Sequence, residues 1–356
     1  MSLLGEPVTG HSGAARPRVT LAHVAERAGV SPTAASLILN GRANTRLSDD
    51  ARQRVFAAAK ALNYRPNLMA RGLRMEKSAT IGLVSDFIAT TRYAGPMIRG
   101  ALRAARERNH TLFVTETEGD PQEQDRAIEA LLDRQVDALI LATVTGKITM
   151  PERRLPVPLV VLNGSAGPGN YLSVLPDEEG GGHQAAEHLI GLGHRRVHIL
   201  GTSEPEYWTV PVRRRIESLT STFTKAGVEI VRVSLERPVW DFEAGLDTAT
   251  RAVTLHSPVS AVVALNDTLA AGAYEGFRQA GLTIPDDVSI VSFDDDDIVA
   301  FLRPQLTTVA LPFEMLGRRA VEMALYAGSV PVAEHLEPMI LRPRESTRRA
   351  PSTCRS

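Results

Sequence analysis

The stretch VTLAHVAERAGVSPTAASLILN, residues 19–40, contains the signals that decide how the N-terminal part of the chain folds. Its first half has apolar residues at the i, i+3, i+4, i+7 spacing that gives a helix one buried stripe: Leu21, Val24, Ala25 and Ala28. Thr20 can cap this helix, because a hydroxyl accepts hydrogen bonds from the free amides of the first turn. Gly29 then supplies a backbone that can turn back sharply.

The second half of the stretch predicts another helix. Ser31 is a good N-cap and Pro32 a good first helical residue, because that position needs no amide donor. The residues of its buried face are Ala35, Ile38 and Leu39. Its other face carries Thr33, Ser36, Leu37 and Asn40. Two helices joined by a tight glycine turn are typical of a helix-turn-helix, whose second helix lies in the DNA major groove. An ordinary helical hairpin is the alternative.

The charge distribution favours a polyanionic partner for the N-terminal part only. Residues 16–77 contain twelve basic and four acidic side chains, a net charge of +8, and since the whole chain carries −1 the remainder carries −9. A loop with Arg42 and Asn44 follows the second helix, and Ser48 begins a third helix whose buried stripe contains Val55 and Ala58. We therefore predict a small three-helix DNA-binding headpiece.

Residues 65–77 predict a short connecting helix, which Asn67 can cap. Leu73 stands between Arg71 and Arg74, and an apolar wedge between basic side chains suits insertion into a DNA minor groove, where it kinks the duplex. A helix this short is mostly unfolded in isolation, so we expect it to fold only when it is paired on DNA. A solvated linker is the alternative interpretation.

From residue 79 onward, short apolar runs alternate with amphipathic stretches. Strands are predicted at TIGLV, TLFVT, DALILA, PLVVLN, RVHIL, VEIVRVS, SAVVAL and VSIVSF. Helices are predicted at about residues 95–108, 121–134, 177–192, 212–226, 241–255, 267–280 and 313–326. This alternation predicts an α/β body with parallel sheets covered on both faces. Its length favours two doubly wound lobes, with a ligand between them at the C-terminal ends of the strands.

Composition and motifs exclude several other classes of protein. Cys354 is the only cysteine, which rules out a disulfide framework or a cysteine zinc site within one chain and indicates a reducing compartment. There is no secretory signal at the N-terminus and no apolar stretch that could span a bilayer. The chain has no nucleophile elbow, HExxH pair or phosphate-binding loop. We expect a cytoplasmic protein that is not an enzyme, needs no cofactor or metal and has no membrane partner.

The chain closely resembles the lactose-repressor/galactose-repressor family of bacterial transcription regulators. The pieces that carry the resemblance are VTLAHVAERAGVS with the pair Leu39 and Asn40, LNYRPN followed by ARGLR, AAEHLIGLGHRRVHILG, VVALND, and DDVSIVSFDD with LTTV. The family fold implies an all-α helix-turn-helix headpiece, a hinge helix and a two-lobed α/β core that resembles periplasmic sugar-binding proteins and contains two doubly wound parallel sheets.

On this resemblance the chain divides into a disordered arm at 1–17, a headpiece at 18–64, a hinge helix at 65–77, a core at 78–341 and a disordered tail at 342–356. The chain is expected to cross between the lobes of the core near Asn163, Asp294 and Gly328. Lobe 1 would then contain about residues 78–162 and 294–327, and lobe 2 about residues 163–293 and 328–341.

The resemblance assigns Thr33, Ser36 and Leu37 to base edges in the major groove and Leu73 to the minor-groove wedge. The family often has arginine at the position of Leu37, and leucine can only pack on a thymine methyl, so direct readout should be weaker here. Specificity would then depend more on the kinked central step. The predicted DNA-binding residues are Thr20, Ser31, Pro32, Thr33, Ser36, Leu37, Asn40, Arg42, Asn44, Tyr64, Asn67, Arg71, Leu73 and Arg74.

The resemblance also implies an effector site formed by Asp86, Arg92, Tyr93, Asn163, Arg215, Trp240, Asn266 and Asp294. Tyr93 and Trp240 would pack on the flat face of a sugar ring, Arg215 would hold ligand oxygens, and Asn266 and Asp294 would bond hydroxyls. Each has a structural alternative. Trp240 could be simple core, Arg215 one of three adjacent surface arginines, and Asp294 the start of a solvated acidic loop.

The sequence therefore predicts a homodimeric transcription factor, a repressor, that is controlled by a small effector, a sugar or sugar derivative. Two headpieces would read the half-sites of a near-palindromic operator in double-stranded DNA, as two-fold symmetry requires. The two alternatives are a solute receptor of the periplasmic type and a sugar-processing α/β enzyme.

Overall fold

The structure is a computed structural model of the chain and describes residues 19–39, 47–64, 78–87, 91, 94–144, 149–165, 171–236, 239–255, 259–327 and 333–350. The chain separates into two compact units, Met1–Ser78 and Ala79–Ser356. The predicted arm (1–17) and hinge helix (65–77) lie outside the described residues.

Three helices form the described part of the first unit: α1 (Leu21–Ala28), α2 (Pro32–Leu39) and α3 (Asp49–Ala61). Their apolar faces meet in one small core that contains Val24, Ala25, Ala28, Ala35, Ile38, Ala51, Val55 and Ala58. The helices begin and end where the sequence predicts them, because each stripe has helical spacing and each start has a capping residue.

The turn between α1 and α2 is held by main-chain hydrogen bonds around Gly29. This residue has a φ of 65°, and the amides of Gly29 and Val30 donate to the carbonyls of Glu26 and Ala25 at 3.1 and 3.0 Å. A left-handed residue with this pair of bonds is a Schellman cap, which ends a helix sharply. The Ser31 hydroxyl then accepts from the Ala34 amide at 3.1 Å and starts α2.

The second unit contains two six-stranded sheets, and each sheet forms the centre of one lobe. In the first lobe the order along the sheet is β11 (Glu334–Glu337), β5 (Leu172–Pro176), β4 (Leu159–Leu162), β3 (Ala138–Ala142), β1 (Thr80–Ser85) and β2 (Thr111–Glu116). All neighbouring strands of this sheet are parallel. The helices packed on it are α4 (Ala94–Glu107), α5 (Pro121–Asp133) and α10 (Phe313–Tyr326).

The second lobe has the same layered arrangement. Its strand order is β12 (Ile340–Arg342), β10 (Thr307–Ala310), β9 (Ser289–Asp294), β8 (Ala261–Ala264), β6 (Arg196–Thr202) and β7 (Glu229–Ser234). Only β12 runs antiparallel to its neighbour among these strands. The helices packed on it are α6 (Glu178–Gly191), α7 (Val210–Lys225), α8 (Phe242–Thr254) and α9 (Asp267–Gln279). Its core is the larger one, with Phe223, Phe277 and Phe293 fully buried.

The three lobe boundaries predicted from the sequence are wrong by several residues each. Strand β5 belongs to the first lobe, so the chain crosses after Pro176 rather than near Asn163. Strand β10 belongs to the second lobe, so the next crossing follows Ala310 rather than Asp294. Strand β11 returns to the first lobe, and the last crossing lies between Glu337 and Ile340 rather than near Gly328.

These errors share a physical cause. The eight predicted strands are all present, whereas β5, β10, β11 and β12 were not predicted; they have only three to five residues each. Strands β4 and β8 are as short but continuously apolar, whereas the missed runs LSVLP, TTVA, EHLE and ILR contain polar residues or proline and therefore cannot be distinguished from loops. Because each crossing is defined by one of these short strands, each boundary moved with the strand that was missed.

The predicted disordered tail at 342–356 is a second correction, since most of its described part packs on the second lobe. Ser346 is fully buried; its hydroxyl donates to the Ile290 carbonyl at 2.6 Å and accepts from the Thr307 amide at 2.7 Å. The Ala350 amide donates to the Leu192 carbonyl at 2.9 Å. The polar residues that suggested disorder instead form hydrogen bonds with main-chain groups of the second sheet that would otherwise lack partners. Residues 351–356 lie outside the described residues.

No helix within the described ranges has both the length and the apolar character that a membrane span requires.

Candidate functional site

The predicted DNA-reading face of α2 is accessible in the first unit. Pro32 and Thr33 are exposed, and Ser36 and Leu37 are half-buried, on the side of the helix away from Ala35. The capping residue Ser31 is exposed as well. Thus the accessible face of α2 is mostly polar with one apolar side chain, while the opposite face of the helix packs in the headpiece core.

Thr20 and Tyr64 lie at the two ends of the described headpiece. Thr20 is exposed at the N-cap of α1, and its amide donates to Nδ1 of His23 at 3.3 Å. Tyr64 is half-buried and packs against the headpiece core, and its amide donates to the Ala59 carbonyl at 2.9 Å. Tyr64 therefore helps to stabilise the headpiece and remains partly accessible.

Several predicted residues cannot be placed. The DNA-binding candidates outside the described residues are Asn40, Arg42, Asn44, Asn67, Arg71, Leu73 and Arg74. The effector-binding candidates outside them are Arg92 and Tyr93.

Arg215 is the centre of a buried polar cluster at the C-terminal edge of the second sheet. Its Nε and Nη2 donate to the two carboxylate oxygens of Glu178 at 2.6 and 2.7 Å, and its Nη1 donates to the Leu265 carbonyl at 2.5 Å. Its Cζ lies 4.3 Å from the ring centroid of Phe293 and 5.9 Å from that of Trp240. The side chain is only 4% exposed, so the alternative that it is a surface arginine is wrong.

The guanidinium is stabilised by its acidic neighbours. Burial alone lowers its pKa, but Glu178, with further contributions from Asp294 and Asp267, outweighs burial, so the pKa of Arg215 is raised. A carboxylate fork matched by a guanidinium fork is the strongest ion-pair geometry proteins use, and aromatic faces add a cation–π attraction. Arg215 is therefore a fixed cation inside the lobe.

Two further acids, Asp267 and Asp294, belong to the same cluster. Asp267 is fully buried and accepts from the hydroxyls of Ser292 and Thr308 and from the Asp296 amide. Burial raises the pKa of Asp267 to about 7 against the opposing effect of these bonds. Burial also raises the pKa of Asp294 well above its usual range, although the Arg215 charge opposes the shift. Asp294 is 8% exposed, so it is not part of a solvated loop.

Asn266 lies at the end of β8, and Trp240 lies beside Arg215 in the loop that precedes α8. The side-chain Oδ1 of Asn266 accepts from the Leu269 amide at 2.8 Å and caps α9. The Trp240 indole N–H donates to the Gly201 carbonyl at 2.8 Å, and its half-buried ring packs against the core of the lobe. Trp240 is thus neither simple core nor a free platform, since one part of its ring is fixed and another remains accessible.

The remaining effector candidates form a separate cluster at the C-terminal edge of the first sheet. Asp86 accepts from the Thr143 hydroxyl and the Val144 amide, both at 2.8 Å, and Asn163 donates to the Thr143 carbonyl at 2.9 Å. Asp86 is buried and Asn163 half-buried with a φ of 60°. These bonds hold three strand ends together, which gives Asp86 and Asn163 a clear structural role.

Two cavities lie at these strand ends. One has a volume of about 400 Å³ and is lined by residues of both lobes, including Pro96, Asp294, Leu311 and Arg342. The other, of about 430 Å³, lies in the first lobe and is lined by residues that include Asp86, Thr117 and Gln124. Each is large enough for a small metabolite. In the described ranges we find no group of three or more metal-ligating side chains suited to a metal ion.

Sequence reasoning missed Glu178, Asp267 and Phe293, which complete the cluster around Arg215. Asp267 follows Asn266 directly, so the polar pair at a strand end was a usable signal. Glu178 gave none, because it stands among the acids that open a helix, where the helix dipole explains acids without any partner. Only the fold brings it to Arg215, 37 residues away in sequence.

Two protein-family models match the chain in different regions. The model for bacterial regulatory proteins of the lacI family matches residues 20–67. The model for a periplasmic binding protein-like domain matches residues 186–347. The first match contains all three described headpiece helices, and the second lies within the two-lobed unit.

Similar proteins cover most of the chain. The ribose operon repressor of Escherichia coli (strain K12) is 29% identical over 321 residues, covering 88% of this chain and 94% of the relative. The repressor PurR of Photobacterium profundum is 28% identical, covering 86% and 91%. A solved lac repressor dimer, bound to operator and the anti-inducer ONPF, has a TM-score of 0.77 at 26% identity and covers 93% of this chain and 99% of its own.

Another solved relative contains a bound ligand. It is a LacI family transcriptional regulator from Enterococcus faecium with bound ribose, with a TM-score of 0.60 at 25% identity, covering 76% of this chain and all of its own. Headpiece and two-lobed unit therefore both match, in the same order, in proteins that are regulators. The chain therefore contains a DNA-binding domain of the lacI family of bacterial regulatory proteins followed by a periplasmic binding protein-like domain.

Proposed function

We propose that this chain is a homodimeric transcriptional repressor whose affinity for a near-palindromic operator is set by a sugar-like effector held between its two lobes. The observation that carries the proposal is the joint presence of an accessible, capped α2 in a basic segment and of a two-lobed unit with a built polar cluster at its strand ends. The lac repressor dimer on operator and the ribose-bound regulator support each half.

The headpiece supports DNA reading through α2. Thr33 can bond a base edge and Leu37 can pack on a thymine methyl, while the basic surroundings supply phosphate contacts that position the helix. With no arginine on this face, contacts to guanine are weaker than a bidentate pair would give. We place the protein in the cytoplasm and on the nucleoid when it is bound to its operator.

The connections between the lobes support effector control. The Asp177 amide at the first crossing donates to the Glu337 carbonyl at 2.8 Å, and the Leu311 amide at the second donates to the Asp294 carbonyl at 3.2 Å. The lobes are thus joined by three short segments, which a ligand between the lobes would bend as it closes them. Such closure couples effector and operator affinity reciprocally, typically by about 1–3 kcal/mol.

The direct test is binding of the full-length protein to fragments of its own genome. We expect recovery of a few two-fold symmetric sites, bound by a dimer with an affinity that falls steeply as salt rises. Addition of the effector, found by a thermal-shift screen that begins with ribose, should change that affinity. A chain that binds no fragment in a salt-sensitive way would instead support a solute receptor. Turnover of a sugar would support an enzyme.

Thr33→Ala tests whether α2 reads bases. Loss of one neutral hydrogen bond should weaken binding to the selected operator by about 1 kcal/mol, roughly fivefold. Because a base contact carries sequence information and a phosphate contact does not, affinity for random DNA and the salt dependence should stay unchanged. Thr33→Ser keeps the hydroxyl and is the control. An equal loss on operator and random DNA would contradict the assignment.

A further inference from the structure

The geometry around Arg215 bears on which effectors the proposed site can accept. All three guanidinium nitrogens already donate to groups of the protein, two of them to Glu178 and one to the Leu265 carbonyl. Phe293 and Trp240 lie within cation–π distance of the same group. Three of the five N–H groups are thus committed, and an incoming carboxylate or phosphate would have to displace Glu178 to use the fork formed by Nε and Nη2.

The charge of the cluster also disfavours an anion. Glu178, Asp267 and Asp294 are 2%, 0% and 8% exposed, and Arg215 is the cation that faces them in this cluster. Glu178 already neutralises the Arg215 charge, so the cluster offers an incoming anion no uncompensated cation in a region with little water to screen a further negative charge. The raised pKa values of Asp267 and Asp294 have the same origin, since burial resists a further negative charge there.

We propose that Glu178 is a specificity-determining residue that keeps anions out of the cleft, so that the effector is a neutral or amine-bearing polyhydroxy compound and not a sugar acid or sugar phosphate. This inference rests on the proposed function, because it takes the cluster around Arg215 as the effector site. A neutral hydroxyl finds acceptors on the carboxyl groups, and an ammonium gains from the ring faces of Phe293 and Trp240.

Of the two tryptophans of the chain, Trp240 reports on this cluster. Trp240 lies beside Arg215, and Trp208, on the neighbouring turn of the same lobe, has its indole N–H bonded to the Ser203 carbonyl at 3.1 Å. Intrinsic fluorescence is therefore a local readout of ligand entry. Inorganic phosphate is a suitable probe, because it tests the effect of negative charge alone and does not require a sugar of the right shape.

The decisive experiment titrates inorganic phosphate into full-length wild-type protein, E178Q and the double variant E178Q/D294N at constant ionic strength. E179Q is the matched control, since Glu179 is the adjacent, exposed acid and its loss removes the same charge without freeing Arg215. We expect no saturable fluorescence change in wild type or E179Q. We expect E178Q or the double variant, in which Asp294 cannot replace Glu178 as partner, to bind phosphate about tenfold tighter or more.

A second measurement does not depend on the variants folding. Thermal shifts of the wild type are compared for matched pairs that differ in charge: ribose with ribose 5-phosphate, and glucosamine with glucuronate. Within each pair the anionic member should never stabilise the protein more than its partner. A larger shift with either anion, saturable phosphate binding by the wild type, or a well-folded E178Q and double variant that both ignore phosphate would overturn the proposal. Operator binding, measured on the same samples, judges the proposed function separately.

Discussion

His198 lies in the middle of β6, fully buried, and neither ring nitrogen has a hydrogen-bond partner within the described part of the chain. Burial lowers the pKa of His198 to about 4; the nearby Arg196 acts in the same direction, and Glu229 opposes it. The imidazole is therefore neutral in the folded protein over the whole physiological range. It packs in the core as a flat, mostly apolar side chain, and its two unpaired ring nitrogens lower the stability of the folded state.

This residue makes the stability of the second lobe depend on pH. In the unfolded chain His198 has its ordinary pKa of 6.5, whereas in the folded chain its pKa is about 4. Between these values the unfolded state binds more protons, so stability is lost as pH falls from 6.5 toward 4. The contribution lost by pH 5 is about 2 kcal/mol.

His198→Leu should remove that dependence. At pH 8 the variant should be at least as stable as the wild type, because no polar atom is left unpaired. At pH 5 it should be more stable, by roughly 2 kcal/mol. Urea unfolding of both proteins at the two pH values, followed by far-ultraviolet circular dichroism, measures the difference. The same loss of midpoint between pH 8 and pH 5 in both proteins would show that His198 is not the titrating group.

Residue types at strand ends could be predicted from the sequence, but their partners could not. Arg215, Asn266 and Asp294 were named from a resemblance, and the structure brings them to one edge of one sheet with Trp240. The bidentate pairing with Glu178 was not predicted, because a contact between two helices far apart in sequence follows from tertiary packing alone. The choice between ligand-holding and internal pairing for an arginine is therefore invisible to pattern reasoning.

At the scale of elements, the helices were the most predictable part. All seven helices predicted for the body are present with bounds within about two residues, because amphipathic spacing over thirteen or more residues is a strong signal. The crossings between lobes depend instead on three- to five-residue strands and on which sheet has room for them. Which sheet a short strand joins is decided by the assembled fold. The predicted lobe boundaries were therefore wrong, although the predicted helices are present.

The contact between α4 and α10 shows how closely elements of the first lobe approach. A Cβ atom added at Gly317 would lie 1.9 Å from the Met97 carbonyl oxygen, and one added at Gly100 would lie 1.9 Å from that of Glu314. Backbone thus packs directly on backbone where these helices cross, directly after the second crossing between lobes. Glycine is required here for space, since neither residue has a positive φ.

Gly317→Ala should therefore destabilise the protein despite the better helix propensity of alanine. Overpacking at a backbone contact costs about 1–3 kcal/mol, which exceeds the gain of roughly 1 kcal/mol from propensity. Gly191→Ala is the matched control, because it lies in α6 with no atom within 4 Å of the added Cβ and should leave stability unchanged or raise it. Differential scanning calorimetry of both variants decides; equal melting temperatures would contradict a close α4–α10 contact.

At the scale of the whole molecule, a repressor that reads a palindrome needs a surface for its second copy. Strand β2 is an edge strand of the first sheet, and Phe113 and Val114 on it are 44% and 39% exposed. Leu102, on the neighbouring α4, is 41% exposed. An apolar edge strand is a liability unless it is covered, and the solved lac repressor on operator is a dimer. We take β2 and its flank as the dimer surface.

Phe113→Glu should separate the dimer and, with it, operator binding. A charge placed in an apolar contact costs enough desolvation to weaken dimerisation about tenfold or more, and a single headpiece loses the second half-site. The matched control is Ile340→Glu, since Ile340 is a 59% exposed apolar residue on another edge strand, β12. Sedimentation velocity over a concentration series, with operator titration of the same samples, measures both effects. If Phe113→Glu remains a dimer, or if Ile340→Glu dissociates equally, the second copy binds elsewhere. Weakened operator binding by an intact dimer would instead mean that β2 affects the headpiece by another route.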